Sequence, residues 1–262
     1  MKKETAMKIF IPVFVLIIFA VVRLGAQDNQ PVGIAEKLGQ TIPLDAEFYD
    51  ESGNLVQLKS VITKPTILMF VYYRCPGICN PLMTEVANIV GKMDLELGKD
   101  YQIVTISFDP EEKPELAADK KDNYLSLIKR KVDPNGWRFF TGDSVNIHRV
   151  TDAAGFFYKK ENGTWVHAGM LTVISPSGKI ARYLYGIQHL PLDVKLAIME
   201  ASEGRTGPTI AKVLSFCYAY DPAGQRYALD IVRVCGVVFL GLVGVFVIVF
   251  LVKPGKKKGE PQ

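Results

Sequence analysis

The sequence has no Cys-x2-Cys pair, no internal repeat, no low-complexity segment and only three histidines. The first absence removes the spacing used by ordinary dithiol oxidoreductases. The next two leave one good-sized domain with appendages as the arrangement that 262 residues support. Net positive charge is also missing from the body of the chain. Residues 1–26 carry a net +3 and residues 231–262 a net +4, so residues 27–230 stand at −3 although the whole chain is +4. The basic isoelectric point therefore belongs to the two ends and excludes a nucleic-acid surface. Arginine and serine are too sparse near the start for an organelle transit peptide.

Long apolar runs occur only at those ends. Met1–Lys8 is positively charged and Ile9–Val22 is a 14-residue apolar run, short for a membrane span but fitting the core of a secretory signal. Leu24-Gly25-Ala26 offers a cleavage site before Gln27, with an uncleaved anchor as the rival reading. Val234–Val252 is 19 residues without a charge, about 29 Å as a helix and enough to cross a bilayer. Lys253 to Lys258 then form a basic tail that stays in the cytoplasm. The expected organisation is a signal peptide or anchor at 1–26, a domain at 27–205, a juxtamembrane segment at 206–230, a transmembrane helix at 231–252 and a cytoplasmic tail at 253–262. Both ends place the domain outside the cytoplasm, in an oxidising compartment.

Within the domain, Leu44 to Val61 alternates around Asp50-Glu51-Ser52-Gly53-Asn54, which predicts a β-hairpin. Thr66–Tyr72 and Tyr101–Phe108 read as buried strands. Leu82, Val86, Ile89, Val90, Met93 and Leu97 recur at helical spacing and predict a helix from Asn80 to about Gly98. A charged helix is expected over Lys113–Lys131, acidic at its start and basic at its end. Trp137–Phe140 reads as a strand and Asp143–Ala154 as a helix. Gly169–Ile174 and Ile180–Tyr185 form a hairpin across Ser175-Pro176-Ser177-Gly178. A last helix opens at Pro191, stops at Gly204, and carries Leu192, Leu196 and Met199 on one face. Alternating strands and helices with a closing hairpin predict an α/β domain with a central mixed sheet.

The stretch around which the rest is arranged is Val71-Tyr72-Tyr73-Arg74-Cys75-Pro76-Gly77-Ile78-Cys79-Asn80-Pro81. Cys75 and Cys79 sit where a strand ends and a helix begins, and unpaired N–H groups at a helix start favour ionised thiols. Four residues of helical turn put both sulfurs on one face. The pair can close a disulfide or hold a soft metal; a structural disulfide or two packed cysteines is the plainer alternative. Of the histidines, His148 reads as a surface or packing residue and His189 as lining a helix start. His167 leads through Ala168-Gly169 into the strand from Met170. In a thioredoxin-like sheet that approach lies against the redox turn, where the oxidoreductases carry a cis-proline that this chain lacks. A histidine beside two thiolates makes a Cys2His set suited to copper in either oxidation state. Cys217 reads as a packed thiol, with metal transfer as the minority view, and Cys235 as a small residue of the membrane span.

These pieces resemble the Sco/SenC copper proteins of cytochrome oxidase assembly over roughly residues 40–203. The resemblance is carried by Tyr73-Arg74-Cys75-Pro76-Gly77-Ile78-Cys79 with Pro81 and Met83, by Ser107-Phe108-Asp109-Pro110, and by His167 before Thr172-Val173-Ile174-Ser175-Pro176-Ser177-Gly178. It implies a thioredoxin-like fold with copper held by Cys75, Cys79 and His167. It further implies delivery to the binuclear copper centre of cytochrome c oxidase subunit II or a related copper protein, with a thiol reductant as second partner. Two departures stand out. Val166 occupies the place where members commonly carry an aspartate before the ligand histidine. The convincing span is C-terminal, which resembles a bacterial branch tethered to the cytoplasmic membrane with its domain on the periplasmic side.

The sequence thus points to a membrane-tethered copper metallochaperone, with Asp109 as a further residue behind the site. The alternative is an enzyme, a thiol–disulfide oxidoreductase in which Cys75, as the more exposed sulfur, attacks and Cys79 resolves. A peroxide-reducing thioredoxin-like protein is the third reading, and it has no need of His167.

Overall fold

The computed structural model describes residues 32–206 without a break, the strands Tyr218–Asp221 and Arg226–Leu229, and the single positions Gly236, Phe239 and Val243. The expected signal peptide or anchor, nearly all of the membrane span, the basic tail, Cys217 and Cys235 lie outside the described residues. Among the described residues no helix is long and apolar enough to cross a membrane. Inside the segment read as juxtamembrane, Tyr218–Asp221 and Arg226–Leu229 pair with each other as an antiparallel hairpin.

The chain runs from β1 (Gly33–Ile34) into the anticipated hairpin of β2 (Glu47–Tyr49) and β3 (Leu55–Gln57). Its turn is held by the Asp50 carboxylate, which accepts the N–H groups of Ser52 and Asn54 at 2.9 Å each. A single helical turn, α1 (Leu58–Val61), replaces the end of the expected strand, because it buries Leu58 while leaving Lys59 and Ser60 exposed. Next come β4 (Thr66–Val71), buried at every position, and α2 (Cys79–Lys92), which buries Leu82, Met83, Val86, Ala87, Ile89 and Val90. α2 stops short of Gly98: Met93 is already extended, at φ −72° and ψ 149°.

β5 (Gln102–Ser107) is followed by α3 (Pro114–Ser126), with proline in the first turn and Glu115 beside it. This helix also ends early, so Lys129, Arg130 and Lys131 do not serve its C-terminus. Arg130 instead donates to the carbonyls of Met93 and Leu95, satisfying the chain that leaves α2. β6 (Trp137–Phe140) and α4 (Ser144–Ala153) fall as expected; the Asp143 carboxylate caps α4 by accepting the Asn146 N–H at 2.9 Å. β7 (Phe156–Phe157) pairs with β1. An unanticipated hairpin of β8 (Lys159–Glu161) and β9 (Thr164–Val166) turns at Asn162-Gly163, whose φ angles of 50° and 79° suit a two-residue loop. β10 (Met170–Ile174), β11 (Ile180–Tyr185) and α5 (Pro191–Ser202) complete the domain.

Five strands make the central mixed sheet, in the order β11-β10-β4-β5-β6. β4, β5 and β6 are parallel, whereas β10 runs antiparallel to both β4 and β11. This topology decides where the site is. The C-terminal ends of β4 and β5 and the N-terminal end of β10 share one edge, so residues 72–79, Phe108-Asp109 and 167–169 converge there.

On α5, Leu192, Leu196 and Met199 share a face as expected, and that face is exposed; Val194, Ala197, Ile198 and Ala201 are the buried ones. The helix carries two apolar stripes at nearly equal spacing, and the sheet takes the one whose alanines allow close approach to β10 and β11. Accordingly, Ile198→Ala is expected to cost about 2–4 kcal/mol. Leu192→Ser should fall within about 0.5 kcal/mol of the parent. Urea denaturation midpoints of the two variants check the assignment.

Candidate metal centre

Backbone turns place the first sulfur. Beyond β4, the Cys75 N–H donates to the Tyr72 carbonyl at 3.1 Å, and the Cys75 carbonyl accepts from the Asn80 side-chain amide at 3.2 Å. Asn80 is itself anchored to α3, its amide oxygen accepting from the Tyr124 hydroxyl at 2.9 Å and the Lys120 ammonium at 3.2 Å. Cys79 is the first residue of α2, so its position follows from the helix axis. The third group comes from the opposite strand direction: the β8–β9 hairpin returns the chain so that His167 enters beside α2.

The three groups meet. Cys75 Sγ, Cys79 Sγ and a ring nitrogen of His167 all lie within 4.8 Å of one another, and all three residues are buried. His167 Nε2 is 3.4 Å from Cys79 Sγ. His167 Nδ1 lies 3.1 Å from the Ala168 carbonyl, which can only accept, so Nδ1 carries the proton and the Nε2 lone pair faces the sulfurs. The Ala168 backbone carbonyl thus orients the imidazole, a role the Val166 side chain cannot fill. Aromatic rings wall the imidazole: Phe108 at 5.0 Å and Tyr72 at 5.7 Å, both edge-on, and Phe156 at 6.2 Å.

Both cysteines are free thiols, and their environments drive them apart. The hydrogen bond from the Cys79 thiol holds Cys75 well below the ordinary thiol range, against the opposing effect of burial, and the Gly77 N–H at 3.3 Å adds to the lowering. Burial pushes the Cys79 thiol up, and the neighbouring Cys75 sulfur pushes it further. The resting pair is therefore one thiolate and one thiol sharing a proton. An ordinary thiol, with a pKa near about 8.5, gains roughly tenfold in alkylation rate per pH unit below that value. Cys75, being lowered, is expected to alkylate at a nearly constant rate from pH 6 to pH 8. Iodoacetamide labelling followed by peptide mass mapping checks this; a tenfold rise per unit at Cys75 would contradict it.

Two thiol sulfurs and a neutral imidazole nitrogen are a soft donor set. Metal–sulfur and metal–nitrogen bonds of about 2.3 and 2.0 Å put trigonal ligand atoms roughly 3.7–4.0 Å apart, so the observed spacing needs only small adjustments to close on one ion. His148 is exposed and stacks on Tyr158 at 5.6 Å, and His189 is half-buried at the start of α5; neither belongs to the group.

The match to known proteins follows the same span of chain. The SCO1/SenC family model aligns with residues 36–194. The chain belongs to the SCO1/SenC family. The SCO1 protein homolog of Bacillus subtilis (strain 168) is 26% identical over 152 residues, covering 56% of this chain and 75% of that protein. A crystal structure from Aquifex aeolicus VF5 superposes with a TM-score of 0.58 at 27% identity, covering 64% of this chain and 95% of that one. The copper-bound ScoI of Arabidopsis thaliana superposes at 0.51 with 21% identity, covering 63% and 99%. The mixed α/β sheet with flanking helices thus matches the thioredoxin-like structures of SCO1/SenC proteins.

Cys75 is the more accessible of the two cysteines, but only barely: 3% of its surface is open against none for Cys79, while Arg74 and Pro76 take the solvent. Asp109 turns back on its own loop, its carboxylate accepting the Glu111 N–H at 3.1 Å. Sequence reasoning missed Glu112, a buried carboxylate that accepts the N–H groups of Tyr73 at 2.7 Å and Arg74 at 2.8 Å. It looked like one more acid at a helix start, and no local pattern marks it as anything else.

Proposed function

We propose that this protein is a copper metallochaperone, with Cys75 and Cys79 as thiolate ligands and His167 Nε2 as the third. The observation that carries this reading is the convergence of those three donor atoms within 4.8 Å in a buried, aromatic-walled cup. The copper bound by the Arabidopsis relative supports the choice of metal. Copper here is cargo, in the Cu(I) or Cu(II) state. Binding displaces the proton held by Cys79, and handing the ion on requires the Pro76-Gly77 turn to yield so that an acceptor's ligands can reach it.

The family resemblance supports the destination, the copper centre of cytochrome c oxidase subunit II or a related copper protein. The charge and hydropathy of the chain ends support a tether in a bacterial cytoplasmic membrane with the domain on the periplasmic side. Copper titration of the reduced protein tests the assignment. One equivalent is expected to bind, Cys75→Ser to abolish binding, and His167→Ala to weaken it by about tenfold or more. Unchanged affinity in His167→Ala would remove the histidine from the site.

A second reading has its own support. A lowered Cys75 thiol beside a resolving Cys79 is also what a thiol–disulfide oxidoreductase needs. In that case reduction of a partner's disulfide would depend on Cys75, and His167→Ala would leave copper affinity unchanged.

A further inference from the structure

The end of β4 leaves two backbone donors without strand partners. The Val71 carbonyl still pairs with the Phe108 N–H at 2.9 Å, but the N–H groups of Tyr73 and Arg74 lie beyond the sheet. Glu112 takes both. One of its oxygens accepts from Tyr73 and, at 2.6 Å, from the Ser107 hydroxyl; the other accepts from Arg74. The side chain is buried, and no ion pair is formed by it among the described residues. Burial pushes its carboxyl pKa up, while the Ser107 hydroxyl and the two N–H groups oppose this. A charged side chain held inside without a cation needs a reason. The adjoining residue is Cys75.

We propose that Glu112 is a positioning residue for copper: its carboxylate clamps the Tyr73–Arg74 backbone and so fixes where Cys75 points its sulfur. The proposal rests on the copper reading above and deepens it. The clamp requires a carboxylate, because all three contacts are donors to it. A glutamine presents one acceptor and one donor in the same volume, so one end of the amide would face an N–H donor and the turn would open. Glu112 reaches the turn from a loop 37 residues after Cys75, so the position of the first ligand depends on how β5 and its exit pack beside β4.

The test compares Glu112→Gln with Glu51→Gln in the full-length reduced protein. Glu51 is also largely buried and accepts from Arg138 and the Phe139 N–H, so it serves as a control for loss of a buried carboxylate elsewhere. Copper affinity by chelator competition and the Cu(II) electron paramagnetic resonance spectrum are measured, together with the iodoacetamide rate at Cys75 in metal-free protein. Glu112→Gln is expected to lose at least tenfold in copper affinity, to give more than one copper spectrum, and to change the Cys75 alkylation rate threefold or more. Glu51→Gln should lose thermal stability while keeping all three readouts. If Glu112→Gln does not fold, Glu112→Asp keeps the charge but shortens the reach, and it is expected to shift the same readouts in the same direction. Parent-like affinity, spectrum and alkylation in the folded variant would overturn the proposal. Should the parent bind no copper, the copper reading falls, and the alkylation comparison alone decides whether Glu112 positions Cys75.

Discussion

Oxidising Cys75 and Cys79 to a disulfide is expected to lower copper affinity by about three orders of magnitude or more, roughly 4 kcal/mol. The reason is a count of donors. In the reduced protein one sulfur is already a thiolate, the second becomes one by giving up its proton, and the imidazole completes the set. With diamide as oxidant, the thiolate and the thiol together give up one proton and two electrons as the sulfurs join, and diamide takes up both electrons with that proton and one from solvent. Neither sulfur then carries the anionic lone pair that a soft metal needs, and a single neutral imidazole remains. Copper competition against a chelator, before oxidation, after it and after dithiothreitol, measures the cycle. Affinity should vanish and return. A protein that bound copper equally in the disulfide state would refute the Cys75–Cys79 ligand pair outright.

Much of this site was legible because its two halves have different kinds of signal. Cys75 and Cys79 announce themselves by sitting between an apolar run and an amphipathic helix, and the structure keeps both where that pattern puts them. His167 carries no period of its own, and it was legible from its place just before the Met170 strand, where a thioredoxin-like sheet brings the chain against the cysteine turn. Glu112 was invisible: its importance lies in which backbone donors it meets across the sheet, and that is a property of tertiary packing. The same division holds for the fold. Strands such as Thr66–Val71 and Ile180–Tyr185 follow directly from β-branched and aromatic content. Helix ends do not: α2 and α3 both stop early, and beyond α2 Arg130 from a distant segment takes the carbonyls of Met93 and Leu95 in place of another helical turn. The β8–β9 hairpin was missed although Asn162-Gly163 is strong turn chemistry, because its strands are short, largely exposed and weakly alternating. α5 was placed correctly, but which of its faces is buried was not legible, since two apolar stripes on one helix leave periodicity no means of choosing.

Phe108→Ala is expected to be among the most destabilising single substitutions, at about 3–5 kcal/mol, and also to loosen the metal site. Phe108 is fully buried, and its ring lies 4.5 Å from Tyr158, 5.5 Å from both Tyr72 and Phe156, 6.0 Å from Trp165 and 5.0 Å from His167. It is the ring that the others share. Truncating it opens a cavity bordered by aromatic rings too large to collapse into it, so the transfer and cavity costs add. The imidazole loses the wall that fixes its plane, and copper affinity is expected to fall about tenfold. Phe48→Ala separates the two effects. Phe48 is equally buried but packs under the β2–β3 hairpin near Gly142, so its loss should cost comparable stability without touching the ligands. Urea denaturation and copper competition on both variants, with Phe108→Leu as a partial rescue, make the comparison. If Phe108→Ala and Phe48→Ala lose stability alike and copper affinity alike, the ring beside His167 is ordinary core. If only Phe108→Ala loses copper and Phe108→Leu recovers part of it, the aromatic wall is what holds the third ligand on the ion.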